Sequence, residues 1–252
     1  LLCFKNGVVD FSVEEELTFR DGHPEDYITL CTGINYIKLT EKHEPIVQEI
    51  KTFMSELFPD EEVCQYMWEH LASTLIGSAP DQTFNMYYGA GQNGKSVLTS
   101  LMKKVLGEYA NVHAPLCLVT GERPQTGGLS PEIVALKGRR YAVMQEPSKK
   151  DVINEGAMKQ ITSGKDAMSG RAPYQPAEVA FYPQCKLVVA CNVLMGVKSN
   201  DHGTWRRIRT VPFKSLFTNN PVDNDKEKPY QFKLVPNICL LYTSDAADEH
   251  SC

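Results

Sequence analysis

Two stretches within residues 44–77 place apolar side chains at the three- and four-residue spacing of amphipathic helices. Pro59 and Asp60 separate the stretches, and Asp60 stands where its carboxylate could cap the second helix. Gly77 would end that helix. The pattern therefore predicts two consecutive helices, with apolar positions at Ile46, Ile50, Phe53, Met54 and Leu57 on the first and Val63, Tyr66, Met67, Leu71, Leu75 and Ile76 on the second.

The pattern changes from Phe84 onward, where short apolar runs are separated by Gly, Pro and polar turns. A helical stretch, Ser96 to Leu106, lies between the first two runs and is closed by Gly107. Strands that alternate with helices form a parallel sheet with helices on its faces. We therefore predict an α/β core preceded by a small helical domain, with buried strands at Phe84–Tyr88, Tyr141–Gln145 and Leu187–Cys191.

The composition is that of an ordinary globular protein, since 42% of the 252 residues are hydrophobic and 23% are charged. This balance excludes the disordered and fibrous classes of protein. The longest apolar runs, such as Leu187 to Cys191, are far shorter than the roughly 20 residues that cross a bilayer. We therefore predict no membrane span.

The net charge of −5 is the sum of an acidic region, a basic region and a mildly acidic end, residues 218–252, which carry 3 Lys and Arg against 6 Asp and Glu. Residues 1–80 carry 5 Lys and Arg against 15 Asp and Glu, whereas residues 81–217 carry 18 against 10. A basic region of this kind favours an anionic partner such as a nucleotide or a nucleic acid. We therefore expect the chemistry in residues 81–217, beside a mostly helical acidic region at 1–80.

The eight cysteines include no C-x-x-C pair, and none stands near a histidine at the spacing of a zinc site. Scattered cysteines are typical of small buried hydrophobic side chains in a reducing compartment. We therefore expect neither a metal–cysteine site nor a disulfide framework.

The strongest motif follows the first predicted strand, opens the next helix and satisfies the phosphate-loop pattern G-x-x-x-x-G-K-[ST]. Its glycines allow backbone N–H groups to surround phosphates, and the helix N-terminus adds its positive end. The Lys would reach the β and γ phosphates of a nucleotide, and the Ser would ligate Mg²⁺. The flanking strand and helix argue against a chance match. The predicted nucleotide-binding residues are Gly89, Ala90, Gly91, Gln92, Asn93, Gly94, Lys95 and Ser96.

Two further polar residues stand at the carboxyl ends of predicted strands. Glu146 follows Tyr141–Gln145 and could hold Mg²⁺ or polarise the attacking water, whereas a solvated turn acid would do neither. Asn192 follows the strand ending at Cys191 and could orient water or contact the γ-phosphate. The alternative for Asn192 is to cap the next turn.

Adjacent arginines, Arg206 and Arg207, follow Trp205. A guanidinium is permanently charged and binds phosphate through two parallel hydrogen bonds, which suits a transition-state phosphate reached from a neighbouring subunit. A solvated basic patch and a nucleic-acid contact are the alternatives, and the sequence leaves all three open.

Taken in order, these motifs resemble the superfamily 3 helicases, and within them the D5-type primase-helicases of large DNA viruses and related phage and plasmid replication proteins. The resemblance extends from about Glu14 to Phe217. Besides the motifs above, it includes the stretch from Met158 to Asp166, Arg171, and the ending from Trp205 to Phe213.

The resemblance implies a P-loop NTPase core of the AAA+ kind in residues 81–217. It implies that Lys95 and Ser96 bind ATP and Mg²⁺, that Glu146 has the Walker B role, and that Asn192 is the sensor. One of the two arginines would act as a finger on the next subunit of a homo-hexameric ring, working inside the infected host cell.

The resemblance also implies a hairpin between the second and third motifs that points into a central channel and contacts DNA. Lys159, Lys165 and Arg171 are the candidates for contact with the DNA backbone. Cations that follow phosphates need no base readout, and such binding weakens steeply with salt.

One departure from the family concerns the end of the second strand, where many relatives carry two acids. Here Gln145 precedes Glu146, which leaves open whether Glu146 holds Mg²⁺, activates water or does both.

The two ends of the sequence carry separate expectations. The chain begins with Leu1 rather than Met, which indicates an internal fragment, and in the family a primase domain often comes earlier. Residues 239–249 resemble one reading frame of a transposase sequencing adapter. We therefore interpret 239–252 as an assembly artefact that follows a C-terminal extension at 218–238.

We predict from these observations an ATP-dependent DNA helicase that separates strands during viral DNA replication. Two alternatives stay open. One is a DNA-stimulated ATPase that loads or packages DNA without unwinding it, and the other is a non-enzymatic scaffold fragment whose ring cannot close.

Overall fold

The computed structural model describes residues 1–12, 17–111, 130–148, 150–174 and 177–235. Three sequence-based expectations lie outside these residues. They are the start of the family resemblance at Glu14, the end of the C-terminal extension at 236–238, and the adapter-like segment at 239–252.

The chain opens with a three-stranded antiparallel sheet of β1 (Leu2–Phe4), β2 (Gly7–Asp10) and β3 (Thr18–Arg20). Within the described part of residues 1–80, α-helix covers only α1 (Glu44–Leu57) and α2 (Glu61–Ser73). The expectation of a mostly helical region was therefore wrong for its first half. Strands of three or four residues are too short for the alternation of apolar and polar side chains to show.

The two helices that the apolar spacing predicts are present. Asp60 caps α2 as predicted, because its Oδ1 accepts a hydrogen bond of 3.4 Å from the backbone N–H of Val63. Gly77 does not end the helix directly, since α2 stops at Ser73. A series of tighter turns follows, in which the N–H groups of residues 74–76 donate to carbonyls three residues earlier.

The remaining elements begin at residue 84 and alternate between strand and helix over most of their length. They are β4 (Phe84–Tyr88), α3 (Lys95–Leu106), β5 (Ala110–Asn111), α4 (Pro131–Val134), β6 (Tyr141–Gln145), α5 (Glu155–Thr162), β7 (Met168–Gly170), β8 (Val179–Phe181), β9 (Lys186–Cys191), α6 (His202–Trp205), β10 (Ile208–Pro212), β11 (Leu216–Thr218) and β12 (Gln231–Lys233).

Five of these strands form one parallel sheet in the order β10–β4–β9–β6–β5. The three strands predicted from apolar runs are its centre, so the prediction of a parallel α/β core is confirmed. Because all five strands run the same way, their carboxyl ends share one edge of the sheet, which we name the carboxyl edge. Their first residues share the opposite edge, which we name the amino edge.

Alternate residues of the central strands enter two separate hydrophobic clusters, one on each face of the sheet. Tyr87 and Val188 belong to the first cluster, which also contains apolar side chains of α1, α2, α3 and the N-terminal sheet. Met86 and Val189 belong to the second, with side chains of α4 and α5. The acidic N-terminal region therefore shares a core with the basic region and does not build one of its own.

Two smaller pairs of strands lie outside the main sheet. β7 and β8 pair antiparallel between the second and third motifs, where the resemblance implies a hairpin. β11 and β12 pair parallel after the last strand of the main sheet. Among the described residues, none of the helices has the length and apolar character that a bilayer crossing requires.

Candidate functional site

The loop between β4 and α3 contains three residues in the left-handed region, Gly91 with φ +106°, Gln92 with φ +51° and Gly94 with φ +79°. At Gly94 a side chain is also excluded by packing, because a Cβ would lie 2.4 Å from Leu57 Cδ1 on α1. A chain that turns in this way directs successive backbone N–H groups toward the start of α3. The local geometry is that of an anion-binding loop.

Lys95 is the first residue of α3, and its side chain returns along the loop. Its Nζ donates to Gly89 O at 2.6 Å, Asn93 Oδ1 at 3.0 Å and Asn192 Oδ1 at 3.4 Å. All three acceptors are neutral, and no carboxylate forms an ion pair with Lys95 in the described part of the chain. The residue is only 8% exposed. A buried ammonium without a counter-charge is a site that an anion would stabilise.

Burial lowers the pKa of Lys95, and the nearby Cys191 and Glu146 act in the opposite direction. An anionic ligand would raise this pKa again because it would stabilise the charged form. The electrostatics of the loop thus match a phosphate.

Glu146 follows β6 directly and adopts a left-handed backbone conformation with φ +49°. Its N–H donates to Ala190 O of the neighbouring strand β9 at 3.0 Å, which holds the turn in place. A residue with a side chain in this region costs roughly 1–3 kcal/mol, and such positions cluster at functional sites. The sequence placed Glu146 at a strand end but gave no sign of this conformation.

The carboxyl edge brings the separate motifs together, because β4, β9 and β6 are neighbours in the sheet. The phosphate loop, Glu146 and Asn192 line one cavity of about 410 Å³. Ser96 lines the same cavity and is exposed to it. The cavity is thus lined by six of the eight predicted nucleotide-binding residues, Gly91 to Ser96, whereas Gly89 and Ala90 do not line it.

Part of this cavity comes from residues that the sequence reasoning missed. They lie on α1 and in the segment after β10, and they are Phe53, Glu56, Phe217, Lys233, Leu234 and Val235. The apolar spacing of α1 indicated packing only, and nothing in the sequence signals contact between segments so far apart.

The donor set suits a Mg²⁺ ion that arrives with a nucleotide. Ser96 and Glu146 both line the cavity. Among the described residues, no three or more His, Cys, Asp and Glu side chains gather as a self-sufficient metal site. Mg²⁺ is usually held by one or two protein ligands together with substrate phosphates and water, which matches this pair.

The five cysteines in the described ranges, Cys3, Cys31, Cys64, Cys185 and Cys191, are free thiols.

The two arginines lie at the amino edge, because they precede β10 and Ile208 pairs with Phe84, the first residue of β4. They are therefore about one strand length, roughly 17 Å, from the phosphate loop of their own chain. Arg207 is buried and donates to Gly203 O at 2.6 Å and Gln82 Oε1 at 3.0 Å. Burial and the adjacent Arg206 lower the pKa of Arg207. Arg206 is exposed and also donates to Gln82 Oε1.

The three basic residues expected to contact DNA differ in their surroundings. The Nζ of Lys159 on α5 lies 2.9 Å from both carboxylate oxygens of Asp201. Ser199, Lys159 and Thr204 all hold the pKa of Asp201 below its usual range. Lys165 and Arg171 are exposed beside the β7–β8 hairpin. Lys165 and Arg171 are thus exposed beside the hairpin, and Lys159 forms an ion pair with Asp201.

Known proteins resemble this chain in sequence. Residues 1–59 match the family described as D5 N terminal like. A provisionally named helicase of Acanthamoeba polyphaga mimivirus is 37% identical over 230 residues, which are 90% of this chain and 23% of that protein. A provisionally named helicase of Invertebrate iridescent virus 6 is 34% identical over 237 residues, which are 93% of this chain and 24% of that protein. The chain spans about a quarter of the length of these curated relatives.

A solved structure supports the fold. The A form apo structure of the NrS-1 C-terminal region matches with a TM-score of 0.51 at 14% identity, over 73% of this chain and 41% of that one. The parallel sheet and the loop before α3 agree with this likeness, so the prediction of a P-loop α/β core is confirmed. The family match at residues 1–59 and the viral relatives confirm the resemblance, and the chain is a homologue of the provisionally named helicases of these large DNA viruses.

Proposed function

We propose that this chain is the ATP-hydrolysing part of a DNA helicase that acts in viral DNA replication inside the host cell. The observation that carries the proposal is the buried ammonium of Lys95, which has only neutral partners and faces a cavity shared with Glu146 and Asn192. The relatives named as helicases support the same activity.

Each residue at the carboxyl edge has a distinct part in this proposal. The Mg²⁺–ATP complex, when bound, supplies the phosphoanhydride bond that is broken. Lys95 and the loop N–H groups neutralise phosphate charge, while Ser96 and Glu146 hold the ion. Glu146 also accepts a proton from the attacking water, and Asn192 orients that water through its amide.

The position of the arginines supports a ring. Within one subunit they are a strand length from the phosphate loop, so a guanidinium at this edge would reach a nucleotide only on a neighbouring subunit. Arg206 is the better finger because it is exposed, whereas the buried Arg207 is fixed by Gly203 and Gln82. We take the ring to be a homo-hexamer, with residues 81–217 as its motor.

The DNA would pass along the β7–β8 hairpin. Lys165 and Arg171 are exposed there and would contact backbone phosphates without reading bases. Lys159 would contribute less, because Asp201 already pairs with it.

Replacement of Lys95 by Ala tests this function. We expect the ATPase rate and the unwinding of forked DNA to fall together by a factor on the order of 10² to 10³, since a buried cation aimed at the phosphates is lost. Lys103→Ala is the matched control, because Lys103 is an exposed residue of the same helix α3.

An ATPase rate that Lys95→Ala leaves unchanged would contradict the proposal. Normal ATP hydrolysis without strand separation would instead favour a motor that loads or packages DNA.

A further inference from the structure

The cavity at the carboxyl edge has a second side that the phosphate chemistry does not use. We name it the outer wall and define it by six residues, Phe53 and Glu56 of α1 together with Phe217, Lys233, Leu234 and Val235 of the C-terminal strands and their end. Four of these side chains are aromatic or aliphatic. The outer wall is therefore mostly apolar, whereas the phosphate loop that lines the same cavity is polar.

One backbone hydrogen bond joins the outer wall to the phosphate loop, and further contacts hold the parts of the wall together. The N–H of Phe217 donates to Gln92 O of the loop at 2.8 Å. The hydroxyl of Ser215 donates to the carbonyl of Glu56 at the end of α1. The ring centroids of Phe217 and Phe232 lie 5.9 Å apart, so Phe232 packs against Phe217 and helps to hold it in position. A ligand held by the loop would therefore meet a wall of defined position.

Glu56 is the acceptor on this wall. It follows Phe53 by three residues, so both side chains lie on one face of α1. Its carboxylate forms no hydrogen bond or ion pair within the described ranges, and burial raises its pKa. A partly buried carboxylate beside aromatic rings is stabilised by a ligand that donates an N–H group.

We propose that the outer wall is a nucleobase subsite and that Glu56 accepts a hydrogen bond from the 6-amino group of adenine. The inference rests on the proposed function and adds base selectivity to it. The aromatic and aliphatic side chains suit the flat faces of a purine. Guanine in the same orientation would present its 6-oxo group to the carboxylate, so two acceptors would face each other and the site should prefer ATP to GTP.

The test is equilibrium binding, by calorimetry, of the non-hydrolysable imido analogues of ATP and GTP with Mg²⁺. We expect the wild-type chain to bind the adenine analogue at least about tenfold more tightly, the ratio typical of one charged hydrogen bond. Glu56→Gln should reduce this ratio to within about threefold, because an amide can donate to a 6-oxo group or accept from a 6-amino group. Glu49→Gln, an exposed position of the same helix, should keep the ratio.

A second variant separates stacking from base recognition. Phe217→Ala should weaken both analogues to a similar degree, because stacking on an aromatic ring tolerates every base. Equal wild-type affinity for the two analogues, or an unchanged ratio in Glu56→Gln, would overturn the nucleobase subsite and leave the phosphate site intact. Failure of the wild-type chain to bind either analogue would overturn the proposed function as well.

Discussion

The two edges of the central sheet carry similar residue types in opposite situations. At the carboxyl edge, the ammonium of Lys95 is buried among neutral acceptors. At the amino edge, the equally buried ammonium of Lys186 lies 3.2 Å from Asp81 Oδ2, and Arg207 is held by a carbonyl and an amide. The difference shows that burial alone does not mark a functional cation. The partners of Lys95 and Arg207 are all neutral, but Lys95 lines a cavity together with Glu146 and Asn192, whereas Arg207 does not line it. What marks the functional cation is therefore an uncompensated charge that faces a space where an anion can bind.

Arg206 differs from Lys186 and Arg207 at the amino edge because it is exposed. Its replacement has the largest expected effect on ATP hydrolysis. Arg206→Ala should lower the ATPase rate of the assembled protein on the order of 10³-fold, because a finger stabilises charge in the transition state. Mixing Arg206→Ala with Lys95→Ala subunits should restore part of the activity, since each supplies what the other lacks at a shared interface.

The matched control is Arg209→Ala, which removes the next exposed arginine along the chain, on β10. A full ATPase rate in Arg206→Ala would place Arg206 with the structural cations of this edge. Absence of any rescue in the mixture would argue against action between subunits.

Glu146→Gln tests the carboxyl edge, and the expected loss of ATP hydrolysis is somewhat smaller. The amide keeps an oxygen that can face Mg²⁺ but accepts protons poorly, so ATP hydrolysis should fall on the order of 10²-fold while nucleotide affinity changes little. Rapid-quench kinetics and calorimetry measure the two quantities.

Glu62→Gln, an exposed acid on α2, serves as the control for Glu146→Gln. A normal rate of ATP hydrolysis in Glu146→Gln would show that Glu146 serves only in the turn after β6.

The smallest expected effect is the pH dependence of stability that His70 causes. It concerns the free energy of unfolding and not the activity. Its Nδ1 lies 3.3 Å from the side-chain amide of Asn85 near the amino edge, and burial followed by the charge of Lys186 lowers its pKa from 6.5 to about 4. Between these two values the unfolded chain binds a proton that the folded chain excludes. The free energy of unfolding should therefore decrease as the pH falls below about 6.5, by at most about 1.4 kcal/mol per pH unit.

Urea unfolding at pH 7.0 and at pH 5.0 measures this slope, and His70→Gln should flatten it. A slope that persists in the variant would assign the pH dependence to other groups. Nucleotide affinity should be unaffected by the substitution, because His70 does not line the cavity.

The elements that the sequence predicts well are those with a local signal. The apolar runs of β4, β6 and β9 and the phosphate loop are continuous in sequence, and the parallel order then brings Glu146 and Asn192 to one edge. The outer wall has no such signal, since Glu56 and Phe217 are far apart in the chain and meet only through tertiary packing. The N-terminal sheet is missed because its strands are too short to show a period.

The boundary in charge near residue 80 is not a boundary in packing. Side chains of α1 and α2 and of the first sheet fill the same cluster as Leu98, Met102 and Leu106 of α3. Cutting the chain at that boundary would expose both halves of one core to water. A substitution at the contact between residues 1–80 and the rest of the chain should therefore change the packing and the stability of both regions.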